Sequence, residues 1–285
     1  MKKFLLILLG FPLAATAQNL HLSFRAGFAS YKGDLKPKSF SSAFSQGSLI
    51  ASAGARYDLS EHLTARSYLS LTSLHADDKK GNASMKRRNL NFKTGLIDWE
   101  GGLQYNFFSL NTRWWTPYVF AGIGIFHFKP YTRDTTGAKT FLKPLSTEGE
   151  GFLPGVKNYK LTQFSIPFGV GAERALNDDM RLGIELGYRK TFTDYIDDVS
   201  TNYVDQAALQ SARGSKAVEL AYRGDEVGSG PYPAGGTTRG SAARKDGYYY
   251  LALTFTIRLL DQYTRTSGLP AHKRDKKVGC PATRY

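Results

Sequence analysis

Residues 181–189 read Arg-Leu-Gly-Ile-Glu-Leu-Gly-Tyr-Arg, and this stretch decides the fold. Large apolar side chains occupy every second position, and charged residues or glycines lie between them. Such a period of two is typical of a β-strand with one apolar and one polar face. A soluble β-sandwich and a membrane barrel both contain strands of this kind, so the rest of the chain must distinguish them.

Seven further segments alternate in a similar way, at residues 20–30, 48–57, 63–72, 97–107, 116–128, 164–173 and 249–258. Most approach the length of about 9 to 11 residues that a transmembrane strand needs. The segment 116–128 is apolar on both faces, so its orientation stays open. Pro167 indicates a bulge in the sixth alternating segment, because proline cannot donate a hydrogen bond to a sheet.

The connections between these segments alternate strictly between short and long. The short ones are residues 58–61, 109–115 and 177–179, and the long ones are residues 31–47, 75–93, 129–160 and 193–246. An up-and-down barrel places its short turns in the periplasm and its long loops outside the cell, whereas a sandwich with crossing connections gives no reason for such a pattern. We therefore predict an all-β fold, an eight-stranded antiparallel up-and-down transmembrane β-barrel with long extracellular loops and both termini in the periplasm.

The polar faces support the barrel, because they mix both signs of charge. They carry Arg25, Arg56, Arg66, Arg181, Arg189, Arg258, Asp98, Glu100, Glu173 and Glu185. Charges held away from bulk water must pair with one another, and an eight-stranded barrel is about filled by its own side chains. We predict a lumen without an open pore, closed by a charge network of Arg66, Glu100, Glu173, Arg181, Glu185 and Arg189.

The two ends of the chain differ from the barrel. Lys2 and Lys3 precede a short apolar run, and Ala15-Thr16-Ala17 supplies a cleavage pattern, so residues 1–17 are predicted to be a signal peptide. Residues 18–260 form the barrel, and residues 261–285 form a basic tail. No later segment is apolar for long enough to be a transmembrane helix. We expect an integral protein of the outer membrane.

Charge and cysteine content narrow the possible partners. The formal net charge is +14, but export argues against nucleic acid and favours anionic lipid, polysaccharide or an acidic protein. The single cysteine, Cys280, lies in the tail and can form only an intermolecular disulfide. Two interpretations of this tail remain open, namely that it is a disordered stub or that it contacts a partner protein. If it contacts a partner, the candidate residues are Cys280, Lys273, Arg274, Lys276 and Lys277.

The residues that could carry chemistry have simpler interpretations. Only His127, with Ser165 or Thr162 across the ladder, is placed for a hydrolase site, and an interfacial histidine explains it better, so we predict no enzyme and no cofactor. Asp194, Asp197 and Asp198 either cap turns or bind an ion, and their spacing matches no calcium loop.

Two loop segments give further expectations. Lys86-Arg87-Arg88 contacts either lipid phosphates or solvent. The glycine-rich stretch 224–247 is expected to be mobile for much of its length, and the role of the loop 193–246 stays open.

Several passages resemble one family, the PorG-like outer-membrane proteins of the Bacteroidota type IX secretion system. They are residues 31–35 (Tyr-Lys-Gly-Asp-Leu), 77–78, 88–92, 116–120 and 187–200, and the ending Cys280-Pro281. The resemblance implies a non-enzymatic barrel associated with the periplasmic ring that the lipoprotein PorK and its partner PorN form. The leading hypothesis is a barrel that anchors or positions this ring; the alternative is a lipid-modifying outer-membrane enzyme or a small transport barrel.

Overall fold

The computed structural model describes residues 19–35, 47–243 and 245–259. The predicted signal peptide and the basic tail, with Cys280, Lys273, Arg274, Lys276 and Lys277, lie outside these residues. Within them the chain forms nine strands, which are β1 (Leu20–Lys32), β2 (Ser48–Asp58), β3 (Leu63–Asp77), β4 (Asn91–Asn106), β5 (Trp115–Arg133), β6 (Lys139–Phe141), β7 (Thr162–Ala175), β8 (Met180–Thr191) and β9 (Gly247–Arg258).

Eight of these strands close into an antiparallel barrel, as the sequence predicts. Each pairs with its neighbour along the chain, and β9 closes the sheet on β1 from His21↔Arg258 to Lys32↔Gly247. The short β6 pairs only with the end of β5 and is not part of the closed barrel. Closure satisfies the backbone of every barrel strand on both sides, which a sheet in lipid requires.

Side chains face the opposite way from those of a soluble protein. Large apolar residues point outward and remain exposed, for example Ile123 at 68% and Leu253 at 61%, whereas arginines and glutamates point into the barrel and are buried. On β5, whose orientation the sequence leaves open, Tyr118 and Phe120 face inward and Val119 faces outward. An outer apolar band around a polar interior is the arrangement of a membrane barrel.

The bulge expected at Pro167 is absent. The pairing of β7 with β8 keeps one register from Ser165↔Thr191 to Phe168↔Tyr188, so no extra residue is inserted. On the β5 side the pairing stops after Phe168↔Ala121 and resumes at Ser165↔Gly124 in the same register. The missing N–H of proline therefore interrupts the ladder locally without displacing the strand.

Several strands continue beyond their predicted ends, towards the long connections. β4 begins at Asn91, β3 ends at Asp77 and β5 ends at Arg133. These extensions are less apolar than the alternating segments, because they lie beyond the outer apolar band. The alternating pattern therefore does not include them. They raise the barrel wall at one end, which we call the long-loop end; the other is the short-turn end.

The long connections contain three short helices, α1 (Ala83–Arg88), α2 (Gln206–Arg213) and α3 (Ser215–Ala221). Of the helices in the described part of the chain, none has the length and apolar content that a membrane crossing requires. The stretch 224–247, expected to be largely mobile, has defined contacts, since Tyr203 N–H donates to Thr237 O at 2.8 Å and Arg239 is buried. Hydrogen bonds to neighbouring loops hold this glycine-rich segment, and its own composition does not reveal them.

Candidate functional site

Buried ion pairs fill the middle of the lumen. Arg25 and Arg66 each place Nη1 2.8 Å from the carboxylate of Glu185, which lies on β8 across the barrel. Glu100 on β4 forms ion pairs with the same two arginines, at 3.1 and 3.2 Å. The planar guanidinium can bridge two carboxylates at once, which suits arginine to this position.

Arg189 extends this layer towards the long-loop end. Its Nε lies 3.0 Å from Asp98 Oδ2, and its Nη2 contacts Glu100. Tyr118 donates to Glu185 at 2.9 Å, and Tyr250 also donates to Glu185. These tyrosines add donors to the two Glu185 oxygens that the arginines also contact, so the buried carboxylate is fully hydrogen-bonded away from water.

A second layer lies nearer the short-turn end. Arg56 binds Glu173 through two hydrogen bonds of 2.7 and 3.1 Å. Arg181 lies 3.7 Å from Glu173 and donates to Asp58 at 2.8 Å, and His21 contacts the same Asp58 oxygen at 3.0 Å. Because the first layer and the Arg56–Glu173 pair are shielded from solvent, the mid-section of the lumen is closed.

The structure brings all six residues of the predicted lumen network into these two layers. The predicted network lacks several residues that the structure adds to it. Three of them were predicted to lie on the polar faces but not in the network, namely Arg25, Arg56 and Asp98. Four more join it in the structure, namely Asp58, His21, Tyr118 and Tyr250. A tyrosine or histidine that points inward on an alternating strand is the signal that could have revealed them. Arg258, also on a polar face, lies at the rim, 3.8 Å from Asp179.

Loop segments form a folded cap over the long-loop end. We call residues 33–35, 78–90, 134–161, 192–243 and 245–246 the loop cap. Tyr31 Oη lies 2.6 Å from Asp197 Oδ2 and 2.7 Å from Asp246 Oδ1, within hydrogen-bond distance of both, and so joins the end of β1 to the longest loop. Below them, apolar side chains bury one another, namely Leu35, Leu90, Phe92, Ile196 and Val199. Residues 31–35, 88–92 and 187–200, distant from one another in the sequence, meet here.

Two arginines, the partly buried Arg88 and the buried Arg239, connect the segments of the loop cap. Arg88 donates to Asp78 at 2.8 Å and to Asp34 O at 3.2 Å. Arg239 binds Glu148 at 2.9 Å and the carbonyl of Asp198 at 2.6 Å. Arg88 is therefore occupied within the protein, and of the basic run 86–88 only Lys86 and Arg87 remain exposed.

The acidic residues of the longest loop serve as hydrogen-bond acceptors. Asp194 accepts from Ser200 at 2.8 Å, and Asp198 accepts from Thr147 at 2.7 Å and Tyr159 at 2.6 Å. Burial raises the pKa of Asp194 to about 7 and that of Asp198 to about 6. Among the residues that the structure describes, no three His, Cys, Asp or Glu side chains converge as metal ligands do.

His127 lies on the outer wall of the barrel. Its Nδ1 is 3.0 Å from Thr162 Oγ1 on β7, whereas Ser165 points into the barrel and is buried. The pair His127–Thr162 thus faces lipid, and Ser165 cannot join it from the opposite face of the sheet.

A charged crevice of about 250 Å³ lies at the short-turn end. The turn after β2 supplies Asp58 and Glu61, and Arg181 and Arg258 face them from β8 and β9. Asn19 also lines the crevice, so the chain enters and leaves the barrel beside it. This end combines partly exposed charges of both signs with the place from which the tail continues.

The sequence matches a family described as outer membrane protein beta-barrel domain over residues 5–210. This covers most of the chain, which therefore belongs to that family of integral outer-membrane barrels. No curated protein sequence shows detectable similarity to it.

Solved structures of small outer-membrane barrels resemble the fold. Neisserial surface protein A is 10% identical, with a TM-score of 0.41, over 84% of this chain and 97% of its own. OprG from Pseudomonas aeruginosa is 8% identical, with a TM-score of 0.40, over 85% and 98%. Ail, the attachment invasion locus protein of Yersinia pestis, solved with the heparin analogue sucrose octasulfate, is 9% identical, with a TM-score of 0.37, over 84% and 99%.

Proposed function

We propose that this chain is a non-enzymatic outer-membrane barrel that anchors or positions the periplasmic ring of a type IX protein secretion system. The closed lumen carries the proposal. Arg25, Arg66 and Glu185 are each at most 4% exposed in its mid-section, so the path that a transport barrel would use is occupied by paired side chains. The two ends of the barrel therefore remain as the surfaces that could bind a protein partner.

The short-turn end is the better candidate for the contact. Asp58, Glu61, Arg181 and Arg258 line its crevice, and partly exposed charges of both signs favour a specific protein partner over a simple anion. The resemblance of residues 31–35 and 187–200 to PorG-like proteins supports a lipoprotein ring component of the PorK and PorN type as that partner. In this proposal the short turns and both termini lie in the periplasm.

The basic tail is proposed to strengthen the contact. Lys273, Arg274, Lys276 and Lys277 supply positive charge, and Cys280 supplies a thiol for an intermolecular disulfide. In an oxidising compartment such a thiol is available for pairing.

Affinity capture from membranes tests the role of the tail. A full chain tagged in the loop cap should co-purify ring components, and neutralising the four basic tail residues to glutamine should reduce the yield. The matched control neutralises four exposed basic residues of the loop cap, Lys79, Lys80, Lys86 and Arg87, and should leave the yield unchanged. Equal capture by all three chains would contradict the tail contact.

Non-reducing electrophoresis tests the thiol separately. A high-mass species that contains the chain should disappear in Cys280→Ser and on reduction of the wild type. If no ring component co-purifies even with the wild-type chain under crosslinking, the anchoring role itself is wrong.

A further inference from the structure

A groove of about 500 Å³ runs along the outer wall of the barrel near the long-loop end. Strands β3, β4 and β5 form its floor, and β6 forms one side. Leu71 and Ile97 lie at the end nearer the barrel middle, and Tyr131 and Phe141 lie at the end nearer the loops. The groove is on the lipid side of the sheet and is separate from the lumen.

Gly95 creates the groove. It lies on β4 between Ser73 of β3 and Lys129 of β5, and it faces outward. A Cβ atom built at Gly95 would meet nothing within 4 Å. The outer wall is therefore recessed at this point by the absence of a side chain, between larger neighbours on the same face.

Three exposed lysines border the recess, namely Lys93, Lys129 and Lys139. Within residues 19–35, 47–243 and 245–259, none of them forms an ion pair. Lys139 Nζ instead lies over the rings of Tyr131 and Phe141, 4.1 and 4.9 Å from their centroids. The groove thus offers positive charge that the described residues do not neutralise.

The order of these groups along the strands matches the orientation of a lipid. From the loops towards the barrel middle, β4 presents Lys93, then the recess at Gly95, then Ile97. On β5, Lys129 pairs with Gly95, and His127 pairs with Ile97. Cations at the headgroup level and apolar side chains deeper in the membrane fit an anionic amphiphile whose chain points to the bilayer centre.

We propose that this groove binds a lipid of the leaflet at the long-loop end whose phosphate headgroup carries a net negative charge. The phosphate contacts Lys93, Lys129 and Lys139, and an acyl chain lies in the recess over Gly95 against Leu71 and Ile97. The inference depends on membrane insertion, and it is independent of any role in secretion. The basic run 86–88 is the weaker candidate for this role, because Arg88 is engaged by Asp78.

Vesicle reconstitution of the full chain tests the charge. Phosphatidylcholine vesicles contain either phosphatidic acid or diacylglycerol with the same acyl chains, and native mass spectrometry then measures the lipid that stays bound. We expect retention of phosphatidic acid but not of diacylglycerol. Replacing Lys93 and Lys129 by glutamine should lower the retained fraction about fivefold for each lysine lost.

The opposite wall supplies the matched control. Lys32 and Lys190 are also exposed at the long-loop end, and both strand positions pair with Gly247. Replacing this pair by glutamine removes the same charge and should leave retention unchanged. If both double variants lose phosphatidic acid equally, only general surface charge attracts the lipid, and the specific site is wrong.

A second pair of variants tests the recess. Gly95→Leu fills the recess and should lower the retention of phosphatidic acid at least about fourfold. This is the loss of affinity expected when one methylene group of the acyl chain is no longer buried. Gly101→Leu, on the same face of β4 but outside the groove, is the control, since a Cβ there meets only the Trp99 ring at 3.5 Å. Equal retention by Gly95→Leu and the wild type would overturn the acyl-chain contact.

Inorganic phosphate distinguishes a lipid site from a simple anion site. Added to the reconstituted protein, it should not displace phosphatidic acid, because it lacks the chain that occupies the recess. Displacement at concentrations comparable to the lipid would overturn the proposal in favour of a free-anion site. Heat-modified mobility on gels shows for every variant that the barrel is folded.

Discussion

Glu185 is the side chain on which the closed lumen depends most. It accepts hydrogen bonds from Arg25, Arg66, Tyr118 and Tyr250 and is 1% exposed. Its two oxygens thus join residues from five different strands, since Glu185 itself lies on β8. A buried carboxylate is tolerated only when cations and donors surround it in this way.

Replacing this carboxylate should destabilise the barrel. Glu185→Gln keeps the shape but leaves Glu100, which Arg189 also contacts, as the one carboxylate that Arg25 and Arg66 still share. Losing one partner of a buried ion pair costs about 3 to 5 kcal/mol. Urea unfolding in lipid vesicles should show a lower midpoint. Glu61→Gln, in an exposed short turn, should unfold like the wild type; an unchanged midpoint for Glu185→Gln would show that the network does not stabilise the fold.

At the scale of elements, the loop cap is a small folded unit on top of the strands. Its polar centre holds Asp194, Glu150 and Asp198, all of which are nearly inaccessible to solvent. Burial raises the pKa of Glu150 to about 7, with a further contribution from the charge of Asp198. Burial also raises the pKa of Asp194 to about 7. These carboxyl groups therefore hold protons in the folded cap that they would release in the open one.

The loop cap should consequently open more readily at high pH. Between the ordinary carboxyl pKa of about 4 and about 7, the folded cap binds more protons than the open cap, so its stability falls as the pH rises through this window and changes little above it. Protection factors from hydrogen exchange at Ile196 N–H, which donates to Asp246, should be higher at pH 5 than at pH 8. A shift of one pKa unit corresponds to about a tenfold change.

Asp194→Asn is the control for this pH dependence. The amide does not titrate, so the difference between the two pH values should become smaller, whereas Asp205→Asn, at the exposed start of α2, should leave it unchanged. Protection that rises with pH in the wild type would contradict the role of these carboxyl groups.

At the scale of the whole molecule, the two ends of the barrel differ in structure. One carries the loop cap, and the other carries the three short turns and the crevice. We expect the loop cap to face the outside of the cell. The barrel itself then holds the short-turn end in the periplasm, where the proposed ring would contact it.

Epitope tags test this orientation. A tag at Gly228, an exposed turn residue with φ of 68° and open space around it, should bind antibody on intact cells. A tag in the turn between β7 and β8, at Asp178, should bind only after the outer membrane is permeabilised. The reverse labelling would place the loop cap in the periplasm and would remove the basis for the proposed ring contact.

Strands β4 and β5, which the sequence predicted least well, show the limit of prediction from alternation. Alternation defines β8 completely, because lipid and lumen impose opposite chemistry on successive residues. It leaves β5 undecided, since Tyr118, Phe120, Phe126 and Phe128 face inward as aromatic rings against the polar network and the cap. It also starts β4 six residues too late, because Lys93 and Gly95 interrupt the apolar face.

The sequence by itself determined the barrel, the number of its strands, the alternation of long and short connections and the six charged residues of the lumen. These are local properties, since each depends on residues two apart or on the spacing between segments. Only the tertiary structure decided the partners: Glu185 with Arg25 and Arg66, Tyr31 with Asp197, and Lys93 and Lys129 beside the recess at Gly95. Barrel closure and register bring such residues together from distant parts of the chain, and no local pattern encodes that register.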